Sequence, residues 1–210
     1  MRVLYLTAFI IVADQISKFF VKGIDIPFLG ISLQGMPLGA SKPVLGDLLR
    51  ITFIENPGMA FGIEMGGKFF LTLFSVIASV GILIYLYVMR RENVIFRLSL
   101  AMILGGAVGN LIDRVFYGVL YGEGTLFHGK VVDFIDVDFF NIDLLGLHLT
   151  RFWVFNIADA SVTIGVLTML IFHRAFVKDG EQLLDESNHL PAVESSTVES
   201  SSSSTESTTS

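Results

Sequence analysis

Four aspartates, Asp14, Asp113, Asp133 and Asp159, lie within or beside long apolar segments of this 210-residue sequence. An ionisable side chain in the hydrocarbon region of a membrane costs about 2.5 to 3.5 kcal/mol, so it usually faces the protein interior and has a partner. A buried carboxylate without a cation beside it has a raised pKa and is stabilised by sharing a proton with a second carboxylate. Such a pair can perform general acid–base catalysis.

Two of these aspartates have a basic residue nearby in the sequence. Asp14 and Lys18 in DQISK are four residues apart and share a helix face, so we predict a structural ion pair. Asp113 and Arg114 in GNLIDR are adjacent and diverge by about 100° on a helix. We therefore predict that each connects its helix to a different neighbour and that Asp113 holds the helix end.

The other two aspartates lack such a neighbour. Asp159 in FNIAD has no basic residue three or four positions away on either side, so its partner must come from another segment. Asp133 in VVDF precedes the same apolar stretch and offers a second carboxylate. We therefore predict that Asp133 and Asp159 form an aspartic dyad.

The elements that must position these side chains are membrane helices. Hydrophobic residues make up 52% of the chain, charged residues 16%, and the mean hydropathy is +0.69, which favours lipid as the solvent. Residues 69–89 carry no charge and cover a hydrocarbon core of about 30 Å as a helix. Three further stretches, 3–22, 95–116 and 152–173, are also long enough to span. We predict an all-α membrane protein with four transmembrane helices in one domain, residues 1–178.

The C-terminal segment, residues 179–210, has a different composition. It carries seven of the 20 acidic residues and none of the 14 basic ones, so it accounts for the whole net charge of −6 and leaves the remainder of the chain at +1. It ends in SSTVESSSSSTESTTS and has too little apolar surface to offset the entropy of ordering it. We predict a disordered tail that takes no part in the chemistry.

Basic residues set the expected topology. They cluster between the second and third spans and after the fourth, at Arg90, Arg91, Arg97, Arg174 and Lys178. Positive charge is enriched in cytoplasmic segments, so we predict that both termini are cytoplasmic and that residues 23–67 and 117–151 lie on the periplasmic side.

The two outer segments are more than connections between spans. LLRITFIENPGMAFGIE contains strand-like runs around a turn, and GKVVDFIDVDFFNIDLLGLHL mixes apolar residues with four aspartates. Segments of this kind lie in the membrane interface as sheet or as amphipathic helix. We predict a small periplasmic β-like cradle and an interfacial segment, with the active site on that side.

Cysteine is absent, and the four histidines do not show the HExxH spacing of a metal site. We therefore expect no metal and no cofactor. We also expect no nucleic-acid partner and a monomeric protein.

Five motifs together resemble one family. DQISK, ENPGMAFG, GNLIDR, VVDF and FNIAD occur in the order found in lipoprotein signal peptidase, also called signal peptidase II, over roughly residues 8–175. The resemblance implies a bacterial inner-membrane aspartyl endopeptidase that removes signal peptides from prolipoproteins. It cleaves before a cysteine that carries a diacylglyceryl group, so prolipoproteins and membrane lipid are the implied partners.

The resemblance also assigns the site residues. It implies that Asp133 and Asp159 are catalytic, with Asp14 and Lys18 more peripheral. The residues that it implies shape or support the site are Asn56, Asn110, Asp113, Arg114 and Asn156. One carboxylate would activate a water, while its protonated partner would hydrogen-bond the scissile carbonyl oxygen and later protonate the leaving nitrogen.

The sequence departs from the family pattern in three places. The connection 117–130 is long, the first outer segment has extra residues around GISLQGMPLGASKP, and the acidic tail has no counterpart.

Two membrane alternatives do not use the dyad. A small transporter or proton channel would use Asp14, Asp113 and Asp159 as a relay. A non-catalytic membrane scaffold would use the buried charges only to hold its helices together.

A different hydrolase is the remaining alternative. Lys18 would then serve as the base for a membrane serine such as Ser17 or Ser161.

Overall fold

A computed structural model of the chain describes residues 2–27, 30–46, 48–58, 68–138, 142–144, 147–149 and 154–188. Its helical elements are α1 Leu4–Lys22, α2 Lys68–Val88, α3 Val94–Ile112, a π-helical turn Asp113–Tyr117, the short α4 Gly118–Leu120 and α5 Ile157–Asn188. Its strands are β1 Gly23–Ile26, β2 Ile31–Gln34, β3 Ser41–Leu45, β4 Leu49–Asn56, β5 Val131–Val137, β6 Ile142–Leu144 and β7 Leu147–Leu149.

The helices are those of a membrane protein. Within the described ranges, Leu4–Lys22, Phe69–Val88 and Val94–Leu120 are long and apolar enough to cross a membrane. The apolar part of α5, Ile157–Phe172, is shorter. Three to four apolar helices therefore form the body of the molecule.

Helix α1 shows how the molecule sorts its side chains. Its exposed face carries large apolar residues at helical spacing, namely Tyr5, Phe9, Val12, Ile16 and Phe20. Its buried face carries Thr7, Ile10, Asp14, Lys18 and Val21. Apolar residues outside and ionisable residues inside are the arrangement that a lipid environment favours.

Helix α3 is the centre of the bundle and packs against α1, α2 and α5. A Cβ atom added at Gly106 would collide with the backbone oxygen of Ala158, and one at Gly109 would lie 2.9 Å from Asp14 Oδ2. Small residues at such positions let helix backbones approach closely. Gly106 and Gly109 thus bring α1 and α5 close to the end of α3 that precedes Asp113.

In the part of the chain that the structure describes, three small antiparallel sheets accompany the helices, in the orders β1-β2, β3-β4-β5 and β6-β7. The β-branched run of VVDFIDV favours a strand, so the segment predicted as sheet or amphipathic helix begins as β5. An all-α class with a β-like cradle therefore understates the sheet content. In the register of β4 and β5, Ile54 lies opposite Asp133 and Asn56 opposite Val131.

A short backbone link carries β5 to the start of α5. Phe134 N and Ile135 N donate to Phe155 O at 3.0 and 2.7 Å, and Phe155 N donates back to Ile135 O at 3.0 Å. This link brings Asp133 beside the N-terminus of α5, although 23 residues separate Asp133 from Asn156.

Two sequence predictions touch the limits of the described residues. Helix α5 continues to Asn188, so residues 179–188 of the segment predicted to be disordered have helical backbone. Glu, Gln and Leu in this stretch are good helix formers, which extends the helix beyond its apolar part. Residues 189–210 of the tail, and residues 59–62 of ENPGMAFG, lie outside the described ranges.

Candidate active site

Lys18 forms the centre of a buried charge cluster between α1 and α3. Its Nζ lies 2.7 Å from Asp14 Oδ2 and 2.7 Å from Asp113 Oδ2, and none of the three side chains is exposed. The predicted ion pair of Asp14 and Lys18 is confirmed. Because one ammonium faces two carboxylates, it also fixes α3 to α1.

Hydrogen bonds extend this cluster to β5 and α5. Val132 N donates to Asp113 Oδ2 at 3.1 Å, and Ala158 N donates to Asp14 Oδ1 at 3.0 Å. Asp113 therefore connects the end of α3 to both α1 and β5, whereas the sequence predicted one neighbour for each of Asp113 and Arg114. The cluster aligns the backbone on both sides of the candidate dyad.

Gln15 is a member of the cluster that the sequence interpretation missed. Its Nε2 donates to Asp113 Oδ1 at 2.9 Å and to Gly109 O at 3.1 Å, and its Oε1 accepts from Tyr117 Oη at 3.0 Å. Gln15 stands inside the DQISK motif, between the two charged residues that drew attention. Its inclusion in the motif was the available signal.

The π-helical turn explains how adjacent residues serve different partners. Such turns widen a helix locally and often occur at functional sites. Asp113 opens the turn with a fully buried carboxylate, whereas Arg114 is half-buried. The guanidinium interacts electrostatically with Asp113, Asp159 and Asp133. The charge of Arg114 thus acts on the dyad, while the Asp113 carboxylate contacts Lys18 of α1.

Asp159 lies in the first turn of α5, where it forms a capping box with Asn156. Asp159 N donates to Asn156 Oδ1 at 2.9 Å, and Asn156 N donates to Asp159 Oδ2 at 3.4 Å. The N-terminus of a helix stabilises a negative charge. Asn110 Nδ2 donates to Asp159 Oδ1 at 2.7 Å. The side-chain partner of this carboxylate is therefore an amide from α3.

Asp133 is the more deeply buried member of the pair, at 3% exposure. Asn156 Nδ2 donates to Asp133 Oδ1 at 2.6 Å, and the Asn56 side chain also hydrogen-bonds to it. Burial, followed by the charge of Asp159, raises the pKa of Asp133 from 3.8 to about 7. Asp133 therefore holds a proton over a pH range in which an ordinary aspartate is ionised.

Two carboxamides join the dyad to the lysine cluster. Asn156 Nδ2 donates to Asn110 Oδ1 at 3.0 Å, and Lys18 Nζ donates to the same oxygen at 3.0 Å. The sequence interpretation gave Asp14 and Lys18 a more peripheral place than the other supporting residues, and in the structure Lys18 reaches the dyad through Asn110. One amide alone separates its ammonium from Asp159, because the glycines of α3 let α1 approach closely.

The serines of the alternative hydrolase do not face a base. Ser17 Oγ donates to Asp14 O at 2.7 Å, and Ser161 Oγ donates to Ile157 O at 2.8 Å. These bonds to carbonyls of their own helices direct both hydroxyls away from Lys18, whose ammonium lies between two carboxylates. The geometry disfavours a Ser/Lys mechanism.

Comparisons with known proteins agree on one family. Residues 6–175 match the family model described as signal peptidase (SPase) II. A lipoprotein signal peptidase of Porphyromonas gingivalis is 35% identical over an alignment covering 86% of this chain and 88% of that protein. One from Pelodictyon phaeoclathratiforme is 34% identical, with 78% and 85% covered. A solved bacterial membrane enzyme is 29% identical with a TM-score of 0.58, covering 91% of this chain and 93% of that one.

Proposed function

Because the chain belongs to the signal peptidase II family of aspartic peptidases, we propose that it removes signal peptides from prolipoproteins with Asp133 and Asp159 as its catalytic pair. One observation carries the assignment of the pair. The carboxylates of Asp133 and Asp159 interact electrostatically, and the Asn110 and Asn156 carboxamides connect them. The two carboxylates therefore form one electrostatically coupled site.

The environments of the two carboxylates suggest different roles. Asp159 is only partly buried and lies at a helix N-terminus, so it acts as the ionised general base on the attacking water. Asp133 is buried and has a raised pKa, so it carries the proton, donates a hydrogen bond to the scissile carbonyl oxygen and helps protonate the leaving nitrogen. No covalent intermediate is needed.

The supporting residues hold this arrangement. Asn56 and Asn156 hydrogen-bond to Asp133, and Asn110 hydrogen-bonds to Asp159. Arg114 places a positive charge near both carboxylates and limits the cost of bringing negative charges together. These residues orient the pair for a transition state in which charge develops on the carbonyl oxygen.

We place the enzyme in the bacterial inner membrane with four spans, both termini cytoplasmic and the dyad on the periplasmic side. The arginines of the α2–α3 connection support this topology, because positive charge is retained in the cytoplasm. The small sheets then form the periplasmic cradle. A substrate held by the diacylglyceryl group on its cysteine presents its cleavage point near the interface, and this positioning lowers the barrier.

The test is cleavage by the purified full-length protein, as a monomer, of a prolipoprotein with a diacylglyceryl-modified cysteine, followed by mass spectrometry. We expect one cut before the modified cysteine and none in the Asp133→Asn or Asp159→Asn variants. Absence of cleavage by the wild type in every detergent and lipid tested would instead favour a scaffold.

Reporter fusions test the orientation separately. A reporter after Lys178 should report the cytoplasm, and one near Glu123 should report the periplasm. The reverse labelling would move the dyad to the cytoplasmic side and overturn the proposed location.

A further inference from the structure

Four charged side chains beside the dyad form a closed ion-pair network that the proposed chemistry does not use. Lys22 Nζ lies 2.5 Å from Glu55 Oε1 and 2.7 Å from Glu123 Oε1. Lys130 Nζ lies 2.5 Å from Glu55 Oε2 and 3.6 Å from Glu123 Oε2. Two cations therefore balance two anions, and Glu55, at 8% exposure, receives both of the shortest contacts.

The network includes the long connection that distinguishes this chain. Glu123 belongs to the loop of residues 121–130, which lies between the π-helical turn and β5. Tyr121 lies under Lys22, whose Nζ is 4.1 Å from the ring centroid. Gly129 N donates to Arg114 O at 2.9 Å. The loop is thus tied both to α1 and to the turn that carries Arg114.

Glu55 also lies between two residues that face Asp133. In the ladder of β4 and β5, Ile54 is opposite Asp133, and Asn56, two positions later, hydrogen-bonds to the Asp133 carboxylate. Because side chains alternate along a strand, Glu55 projects from the other face of β4. Asn56 is the last residue of β4. The contacts of Glu55, on the opposite face, therefore restrain the end of the strand.

Glu55 and Lys130 are both charged at neutral pH, so this restraint persists there. Burial alone would raise the pKa of Glu55, but the hydrogen bonds and charges of Lys130 and Lys22 outweigh it and lower the pKa. The hydrogen bond to Glu55 in turn raises the pKa of Lys130. Both partners are therefore charged throughout the pH range in which Asp133 titrates.

We propose that Lys22, Glu55, Glu123 and Lys130 form a latch that positions Asn56 against Asp133, and that Glu123 makes the 121–130 loop part of that latch. These are positioning residues, because their ion pairs join them to one another and they act on the dyad through Asn56. The inference rests on the proposed function of Asp133 as the proton carrier.

Loss of the latch should change the pH dependence of kcat, and general destabilisation of the fold should not. The hydrogen bond from Asn56 favours the ionised form of Asp133 and lowers its pKa. If Asn56 moves away, the pKa of Asp133 rises, and the protonated form persists to higher pH. The alkaline limb of the kcat profile should then move to higher pH while kcat itself falls.

The experiment measures kcat and KM against pH for the full-length enzyme with a lipidated prolipoprotein. For Glu55→Gln we expect kcat to fall about 10-fold with little change in KM, and the alkaline limb to rise by about half a pH unit. Glu123→Gln should give a smaller change in the same direction. Glu92→Gln, an exposed glutamate between α2 and α3, is the matched control and should leave the profile unchanged.

Two further variants complete the test. Asn56→Ala should move the limb in the same direction, and Glu55→Gln added to it should have little further effect, since both act through one hydrogen bond. If Glu55→Gln does not fold, Lys130→Gln tests the latch instead, because it leaves the ion pair of Lys22 and Glu55 in place.

Different results would contradict the latch proposal and the proposed function of the dyad. An unmoved limb in Glu55→Gln, or in Lys130→Gln if the former does not fold, would overturn the latch. Full additivity of Glu55→Gln with Asn56→Ala would also overturn it. Appreciable cleavage by Asp133→Asn would instead overturn the proposed function.

Discussion

Two pairs of aspartates lie at one end of the molecule, and their partners differ. Asp14 and Asp113 share the ammonium of Lys18, whereas Asp133 and Asp159 receive hydrogen bonds from amides. An ammonium compensates a carboxylate with a permanent charge, and an amide only hydrogen-bonds to it. The ammonium of Lys18 offsets the negative charges of Asp14 and Asp113, whereas Asp133 is buried beside the charge of Asp159 and its pKa is raised. A shared ammonium marks the structural pair, and amide partners mark the candidate catalytic pair.

The largest expected effect comes from removing a proton-exchanging group. Asp133→Asn and Asp159→Asn should each lower kcat at least about 10³-fold, because an amide of the same size cannot exchange the proton. The double variant should be little worse than either single one, since residues acting as a unit are not additive. Turnover of a lipidated prolipoprotein measures activity, and circular dichroism controls for folding. A double variant much slower than both singles would show that the two carboxylates act independently.

Removing the shared cation should affect stability first. Lys18→Met leaves two buried carboxylates without their ammonium, which we expect to cost about 3 to 5 kcal/mol and to reduce the yield of folded protein. Adding Asp113→Asn should recover part of that loss. Asp113→Asn alone should lower the free energy of unfolding by at least as much as it raises the activation free energy of cleavage. A stable but inactive Asp113→Asn variant would place Asp113 in the catalytic group and remove the difference between the two aspartate pairs.

The amide that joins the two groups should give an intermediate effect. Asn110→Ala removes the hydrogen bond to Asp159 Oδ1 and the acceptor for Lys18 Nζ. A hydrogen bond to a charged group contributes about 1.5 to 3 kcal/mol, so kcat should fall about 10- to 100-fold. Ser99→Ala, at a buried hydroxyl that donates to its own helix at Ile95 O, is the matched control and should keep nearly full kcat. An equal loss of kcat in Asn110→Ala and Ser99→Ala would mean that removing any polar side chain from α3 has this effect.

The smallest expected effect is a pH-dependent gain in stability. The pKa of Asp133 rises from 3.8 to about 7 in the folded protein, so the folded state binds a proton that the unfolded chain releases between these values. Stability therefore falls as pH rises through this window, and Asp133→Asn removes that loss. The variant should melt several °C higher than the wild type at pH 8, with little difference near pH 4. Wild-type cleavage should decline above about pH 7. A gain in melting temperature that is the same at both pH values would contradict a buried proton on Asp133.

Much of the framework follows from local sequence patterns. Apolar runs indicate membrane helices because their length must match the hydrocarbon core, and this holds before any packing is known. The pair of Asp14 and Lys18 was predictable because residues four apart meet on one helix face. The capping box of Asn156 and Asp159 is equally local, and its signal was present in FNIAD although the dyad interpretation did not use it.

The sequence by itself determined which residue types and motifs are available, and the tertiary structure decided which of them meet. Asn110 and Asn156 are 46 positions apart, and Lys18 and Asn110 are 92 apart. Such contacts depend on how closely α1 and α5 approach the glycines of α3 and on the register of β4 against β5. Periodicity describes one element at a time, so it cannot specify distances between elements. For this reason the central place of Lys18, the role of Gln15 and the network around Glu55 emerged only from the folded chain.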